Sequence, residues 1–414
     1  KNLTINGDNK YAQNYIEKRQ LETMQDFSNI LQLGMTLKEV KKIQGMPQFI
    51  DKHTEKNQHF EMWTYPEKED VSHLYFKNNM LNKILQIGLI GAGRIGKMHA
   101  ENIANNFPEV KLKSVADPSI DKEWIESLNI ENCYANPDKI INDDKIHAVL
   151  ITSPTPTHIN FIRKCAINKK HIFCEKPIAL TVNEIKKVID IVENENVFLQ
   201  VGLNRRFDNH FQEMRKKIHD GSIGDIYTIH ITNYDSFIPK FKFLRSSGGL
   251  LLDMSIHDFD MVQYLTGSNI KEIFVNGNVF IEPKLKEMGD IDTATITLEL
   301  DNGIMCSIQN CRQTHYGYDQ RIEIFGSDGL LLVENDHENL CFLITNNDTS
   351  RAKLKNSFIE RYKKSFIAEL NHFFECIQSD KRPIVGGSDI LSAVQVAVAG
   401  QESLKQNLPQ KVIR

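Results

Sequence analysis

The chain has 414 residues, which at about 150 residues per domain points to two or three domains. With 41% hydrophobic, 8% aromatic and 25% charged residues it has the composition of a folded globular protein, which excludes disordered, collagen-like and coiled-coil classes. Fifty Lys and Arg against 54 Asp and Glu give a net charge of -4, so the cationic field that binds nucleic acid or anionic membrane is missing, and no apolar run reaches the roughly 18 residues of a membrane span.

Residues 1–84 are rich in Lys, Asn and Gln. A helical stretch is expected over Tyr11 to Leu33, capped at Gly34, and a second short helix over Thr36 to Ile43, stopped at Gly45-Met46-Pro47. Two alternating aromatic runs, Phe60 to Tyr65 and Ser72 to Phe76, read as strands, and the turn Lys77-Asn78-Asn79 leads into Leu81 to Ile84. The whole reads as a small α+β unit.

Residues 85–204 alternate short apolar strands with helical segments: Leu85 to Ile90, Lys111 to Ala116, Ala148 to Thr152, His171 to Cys174 and Val197 to Val201. That alternation predicts a doubly wound parallel sheet of the Rossmann type. Over 205–414 the strands lengthen and alternate with period two, as in Tyr227 to Thr232, Thr293 to Leu300 and Gln320 to Phe325. They predict an α+β domain built on a large, mostly antiparallel sheet with helices on one face, the last helices packing back on the Rossmann domain. Asn302-Gly303 marks a hairpin within it. The overall class is α/β, in three parts. Seven cysteines, scattered from Cys133 to Cys376 without a CxxC pair, fit reduced thiols in the cytoplasm; no metal site is expected.

The strand ending at Ile90 runs directly into Gly91-Ala92-Gly93-Arg94-Ile95-Gly96. Each glycine has a physical task there: a tight turn, close approach of backbone to a pyrophosphate, and close packing of helix on strand. The following helix start offers oriented N–H groups to phosphate. Asp117 ends the next strand about 20 residues further on, where a carboxylate accepts from the ribose hydroxyls of NAD and repels the extra phosphate of NADP. NAD is therefore favoured over NADP.

Glu175-Lys176-Pro177 follows another strand at the edge where open α/β sheets build their sites. Lys176 can hydrogen-bond a substrate oxygen and join in proton transfer; an ordinary salt bridge with Glu175 is the plain alternative. In Gly248 to Leu265, a continuous helix places Asp253, His257 and Asp260 on one face at i, i+4 and i+7. His257 titrates where a proton acceptor should, and Asp253 can orient it. A satisfied core histidine beside a helix-start carboxylate stands equally open. Arg205 and Arg206 hold polyol oxygens or a cofactor amide, or form interdomain ion pairs; on the residues alone the ion pairs are favoured.

Gly91-Ala-Gly-Arg-Ile-Gly96, Glu175-Lys176-Pro177 and Asp253-x-x-x-His257 resemble, in order and spacing, the hallmark motifs of the glucose-fructose oxidoreductase and inositol dehydrogenase family. The resemblance covers roughly 85–414, and Gly249 to Met261, Gly289 to Ala294 and Tyr316 to Gly326 are similar to its inositol-oxidising members. It implies NAD-dependent oxidation of the axial hydroxyl of myo-inositol to a 2-keto inositol. His257 would be the proton acceptor, Asp253 its partner in substrate binding and Lys176 a hydrogen-bond and relay group, these three being the catalytic residues. Cofactor contacts are implied for Gly91, Gly93, Arg94, Ile95, Gly96, Asp117, Ser153, Thr155, His158, Glu175, Lys176 and Arg205. Substrate contacts are implied for Lys176, Arg205, Asp235, Asp253, His257, Tyr316 and Tyr318. Family members commonly form homotetramers through the open face of the C-terminal sheet.

Asn204 replaces the usual apolar residue before the paired arginines, and Asn233-Tyr234-Asp235-Ser236 replaces the usual Ser-Arg-Asp-Pro; both lie where substrate choice is made. Another polyol or sugar, such as scyllo-inositol or glucose, is the alternative substrate. Residues 1–84 instead resemble, through Gly34-Met35-Thr36, Gly45-Met46-Pro47 and Trp63-x-Tyr65, the small SmpA/OmlA-type domain of outer-membrane assembly lipoproteins. Cys133 is the first cysteine, so that unit has none to carry a lipid. A non-catalytic scaffold working through an unknown partner of 1–84 is the reading from a different class.

Overall fold

A computed structural model describes residues 35–44, 46–55, 58–66, 71–77, 80–82 and 84–414. The helix expected over Tyr11 to Leu33 with its Gly34 cap, Gly45, and the turn residues Asn78 and Asn79 lie outside the described residues.

The first unit is one helix on a four-stranded antiparallel sheet. Its helix, Leu37–Gln44, starts at Thr36 because Thr36 and Glu39 cap each other: Glu39 N–H donates to Thr36 Oγ1 (3.3 Å) and Thr36 N–H to Glu39 Oε2 (2.7 Å). Strands β1 (Phe49–Glu55), β2 (Gln58–Pro66), β3 (Val71–Lys77) and β4 (Met80–Asn82) pair in that order. Alternation on β2 and β3 turns Trp63, Tyr65, Leu74 and Phe76 to one face, where Val40 of the helix meets them in a core of its own.

The second unit is a six-stranded parallel sheet of β5 (Leu85–Ile90), β6 (Val110–Ala116), β7 (Asn132–Tyr134), β8 (Ala148–Ile151), β9 (His171–Cys174) and β10 (Leu199–Val201). The strand order is β10-β9-β8-β5-β6-β7, so the winding reverses between β5 and β8. Register aligns the strand ends: Ile90 pairs with Ala116 and Ile151, Ile151 with Cys174, and Cys174 with Val201. Gly91, Asp117, Thr152, Glu175 and Gly202 therefore emerge side by side on one edge, where such sheets hold their ligands.

The third unit is a seven-stranded sheet of β11 (Ile226–Tyr234), β12 (Ile270–Asn278), β13 (Thr293–Leu300), β14 (Met305–Cys311), β15 (Asp319–Gly326), β16 (Leu330–Val333) and the short β19 (Gln410–Lys411). A small ribbon, β17 (Phe342–Ile344) with β18 (Thr349–Arg351), stands apart from it. The sheet is mixed: β11 and β14 run parallel, because the helix Ile256–Thr266 and the β12–β13 hairpin lie between them in sequence, and the other pairs are antiparallel. The hairpin between β13 and β14 turns at Gly303, whose φ of 85° needs a glycine. Inward-facing Ile229, Ile231, Ile296, Ile308 and Ile322 are fully or almost fully buried beneath the helices Ile256–Thr266 and Gly387–Gln406, while the opposite face is left open. Leu370, Phe373 and Phe374 of the helix Lys363–Ser379 enter the core of the parallel-sheet unit, so the chain's end ties the two large units together.

Candidate active site

The Gly-rich turn has the shape of a dinucleotide cradle. Gly91 sits at φ 98°, and a Cβ there would stand 2.6 Å from Ser153 N. A Cβ at Gly96 would strike Gly91 O, whereas Gly93 faces open space in which a ligand can approach. The helix Arg94–Asn106 begins with no side-chain cap, so its first N–H groups are available to an anion. Asp117 steadies the turn, one oxygen accepting from Ala92 N–H (2.7 Å) and the other from Ser119 N–H (2.7 Å). Arg94 is exposed, with its guanidinium over the Phe358 ring, and Ile95 is half-buried.

Ser153, in the loop after β8, pairs its hydroxyl with that of Thr157 (2.6 Å), beside half-buried Thr155. His158 is a correction to the sequence reading. It is buried, its ring nitrogens facing Ser153 O (2.6 Å) and Pro177 O (2.9 Å), so it braces this loop against the Lys176 segment and has no surface with which to touch a cofactor.

Lys176 passes over Glu175. Its Nζ donates to the main-chain oxygen of Asp253 (2.6 Å) and lies 3.4 Å from Asp253 Oδ1, which settles the choice between a local salt bridge and a cross-domain contact. Glu175 instead meets His99 Nε2 at 2.7 Å. Asp253 Oδ2 is held from the other side by Arg312 Nη1 (3.0 Å), whose Nη2 reaches Asp290 Oδ2 (3.4 Å). Burial works against ionisation of Asp253, but Lys176 and Arg312 overcome it and keep the carboxyl below its usual range. Arg312 was missed in the sequence, where one arginine at the end of a strand carries no periodic signal.

The helix expected from Gly248 is not continuous. Leu251–Ser255 forms a π turn and Ile256–Thr266 continues as α-helix. The wider turn shifts the angular positions after it, so Asp253, His257 and Asp260 do not share a face as α-helical spacing implied. Asp253 and His257 are half-buried, whereas Asp260 is fully buried and forms a forked ion pair with Arg206 (Nη2–Oδ1 2.6 Å, Nε–Oδ2 3.0 Å). His257 has no hydrogen bond to any described residue. Burial first, then the charges of Lys176 and Arg205, push its pKa well below the ordinary imidazole value, leaving a neutral ring able to accept a proton. Asp235, opposite, is pushed up to about 7 by burial and the charge of Asp253.

Arg205 and Arg206 divide the two roles considered for them. Arg206 is structural, bound to Asp260 and Asp389. Arg205 donates to Asp258 Oδ1 (2.6 Å) and to Tyr318 Oη (3.3 Å), which places it beside His257. Asn233 and Asn310 both donate to Asp258 Oδ2 at 2.8 Å, and Asn204 reaches Ser365 Oγ at 3.4 Å. Both Asn204 and Asn233 are buried, so they shape the site through Asp258 and Ser365 rather than by facing a substrate. Tyr318 is buried against Arg205, but Tyr316 is 55% exposed and donates to Asp319 on the open face of the sheet. Tyr316 is thus corrected out of the substrate pocket: outward-facing neighbours, Tyr234 and Cys311, surround it.

Residues 85–203 match the model described as "Oxidoreductase family, NAD-binding Rossmann fold", and residues 215–412 that of "Oxidoreductase family, C-terminal alpha/beta domain". The chain is 40% identical to the uncharacterized oxidoreductase YrbE of Bacillus subtilis, over 80% of this chain and 98% of that one. It is 36% identical to the myo-inositol 2-dehydrogenase of Thermotoga maritima, over 79% and 98%. A crystal structure of scyllo-inositol dehydrogenase from Lactobacillus casei, with bound NAD(H) and scyllo-inositol, superposes with a TM-score of 0.75 at 29% identity, over 80% of this chain and 99% of that one.

Proposed function

The chain belongs to the glucose-fructose oxidoreductase and inositol dehydrogenase family, NAD-dependent oxidoreductases acting on CH–OH groups, and from that premise we propose that it oxidises myo-inositol to 2-keto-myo-inositol. The observation that carries the proposal is the neutral His257 next to the Lys176–Asp253–Arg312 cluster, at the sheet edge that also holds the Gly91 turn. The family's identity supplies NAD, which accepts the hydride from the carbinol carbon when bound. Gly91, Gly93 and Gly96 would seat the pyrophosphate and Asp117 the adenosine ribose, an arrangement that favours NAD over NADP.

His257 accepts the hydroxyl proton as the hydride leaves. Lys176 donates a hydrogen bond to the same oxygen, where negative charge develops, and Asp253 holds the ammonium in place. With His257 and Lys176, Asp235 presents a protonatable carboxyl to the ring hydroxyls, while Arg205 and Tyr318, buried as Asn204 is, shape that wall from behind. Such a set suits a polyol, which offers donors and acceptors on every carbon. The relatives named for myo-inositol and for scyllo-inositol support the inositol class and leave the isomer to be measured. We further propose a cytoplasmic homotetramer joined through the open face of the β11–β16 sheet; seven unpaired cysteines support the reducing compartment.

NADH formation with myo-inositol, scyllo-inositol, D-chiro-inositol and glucose, each with NAD and NADP, tests the reading. Turnover on myo-inositol with NAD is expected. Preference for scyllo-inositol or glucose moves the substrate, and silence on all four while NAD binds overturns the assignment and leaves residues 1–84 as the working part.

A further inference from the structure

His257 has no hydrogen bond of its own to a described residue, so the chain on either side of it sets where the imidazole points. In an acid–base triad a third side chain grips the free ring nitrogen of the base. Here the neighbours in the chain are gripped instead. Ser255 and Asp258, both fully buried, flank His257 where the π turn Leu251–Ser255 passes into the helix Ile256–Thr266. Ser255 Oγ donates to Asn310 Oδ1 (2.5 Å), and Asn310 Nδ2 donates to Asp258 Oδ2 (2.8 Å). Among the described residues, Asn310 is the one side chain hydrogen-bonded on both sides of His257. It is fully buried near the end of β14, paired with Asn233 on β11 and Ala294 on β13, so its own backbone is fixed within the sheet. Two residues further on, Arg312 Nη1 holds Asp253 Oδ2 (3.0 Å).

We propose that Asn310 is the positioning residue for His257: by tying Ser255 and Asp258 to the sheet it fixes the junction of the π turn with the helix and so aims the imidazole at the substrate oxygen. The inference rests on the role given to His257 above. The hydrogen bonds allow one orientation of the amide. Asp258 also accepts from Arg205 Nη1 (2.6 Å) and Asn233 Nδ2 (2.8 Å), and a carboxylate takes only donors, so Asn310 must turn its Nδ2 that way. Its Oδ1 is then left to the Ser255 hydroxyl, which has a proton to give. A carboxamide suits the place because one rigid group supplies a donor and an acceptor. Leucine of similar size supplies neither, and aspartate would set a second carboxyl against Asp258. π turns are rare, and tethers from this one stretch of chain to Asp253, Ser255 and Asp258 hold this one in shape.

The test places Asn310→Leu, which removes both bonds, and Ser255→Ala, which cuts one, in wild type and in His257→Asn. Those two backgrounds are measured first: no turnover in wild type, or full turnover in His257→Asn, defeats the enzymatic reading rather than the tether. Asn310→Leu should lose about tenfold in kcat with KM for NAD unchanged, and Ser255→Ala about threefold, because a slightly displaced base transfers its proton poorly. In His257→Asn neither should cost anything further, since no imidazole is left to aim. Amide hydrogen exchange over 256–261 should speed up in Asn310→Leu, a readout that tests the tether without turnover. Full kcat in a folded Asn310→Leu overturns the positioning role. An equal fractional loss with and without the imidazole marks general damage and overturns it too, and unchanged exchange overturns the tether. If Asn310→Leu does not fold, Ser255→Ala decides by the same comparisons.

Discussion

Arg312→Ala separates the stability of the site from its chemistry. The guanidinium is fully buried and bridges Asp253 (3.0 Å) to Asp290 (3.4 Å). Removing it leaves two facing carboxylates that lose their shared cation. Breaking a buried ion pair from one side costs about 3–5 kcal/mol when the remaining charge stays unpaired. Asp253 keeps Lys176 at 3.4 Å and a side chain 14% exposed, so the lower end applies, about 3 kcal/mol. Against a usual total of about 5–15 kcal/mol, the variant should fold and unfold at markedly lower urea concentration. The kinetic effect follows from the same contact. With one of its two cations gone, and Asp235 close by, Asp253 ionises less readily, so the acidic limb of kcat/KM should move up by about one pH unit. Arg312→Lys should recover only part of either effect, because an ammonium cannot fork between two carboxylates. Urea unfolding followed by circular dichroism, with NADH formation measured across pH, reads both. An unchanged unfolding midpoint together with an unmoved limb would refute the bridge.

Lys176→Ala and His257→Asn should each keep the fold and lose about a hundredfold or more in kcat, and full turnover in either removes that residue's role. The depressed pKa of His257 makes the unfolded chain take up its proton first, so stability should decline as pH falls through the ordinary imidazole range; His257→Asn should flatten that dependence in urea titrations at about pH 7 and 5. Asp235, pushed up to about 7, is a donor below that pH and an acceptor above it, so KM for the polyol should change across it, and Asp235→Asn, locked neutral, should remove the step. Tyr318→Phe should raise KM for the polyol while Tyr316→Phe leaves it alone; equal effects would place Tyr316 back in the pocket.

Much of the site was legible because its parts are local. A glycine spacing after a buried strand, a carboxylate at the end of the next strand, and a Glu-Lys-Pro at a third each carry their meaning within a few residues. The alternation of β11, β13 and β15 likewise showed one apolar face per strand. The parallel pairing of β11 with β14 was not legible, since strand alternation is the same whichever direction the neighbour runs. Nor was the π turn at Leu251–Ser255, because a stretch such as Leu250-Leu251-Leu252 suits either helix type, and the choice is made by what packs around it.

The sequence by itself marked the cofactor edge, because strand periodicity and glycine spacing are properties of neighbouring positions, and it singled out Lys176, Asp253 and His257 as candidates whose chemistry came from the family resemblance of their motifs. Only the tertiary structure decided which charges face which. It joined Arg312 to Asp253 and Arg205 to Asp258, sent Arg206 to Asp260, turned Tyr316 outward and buried His158 as a brace. The physical reason is that the energy of a charge depends on its partners and its exposure to water, and both are set by segments dozens of residues away in the chain.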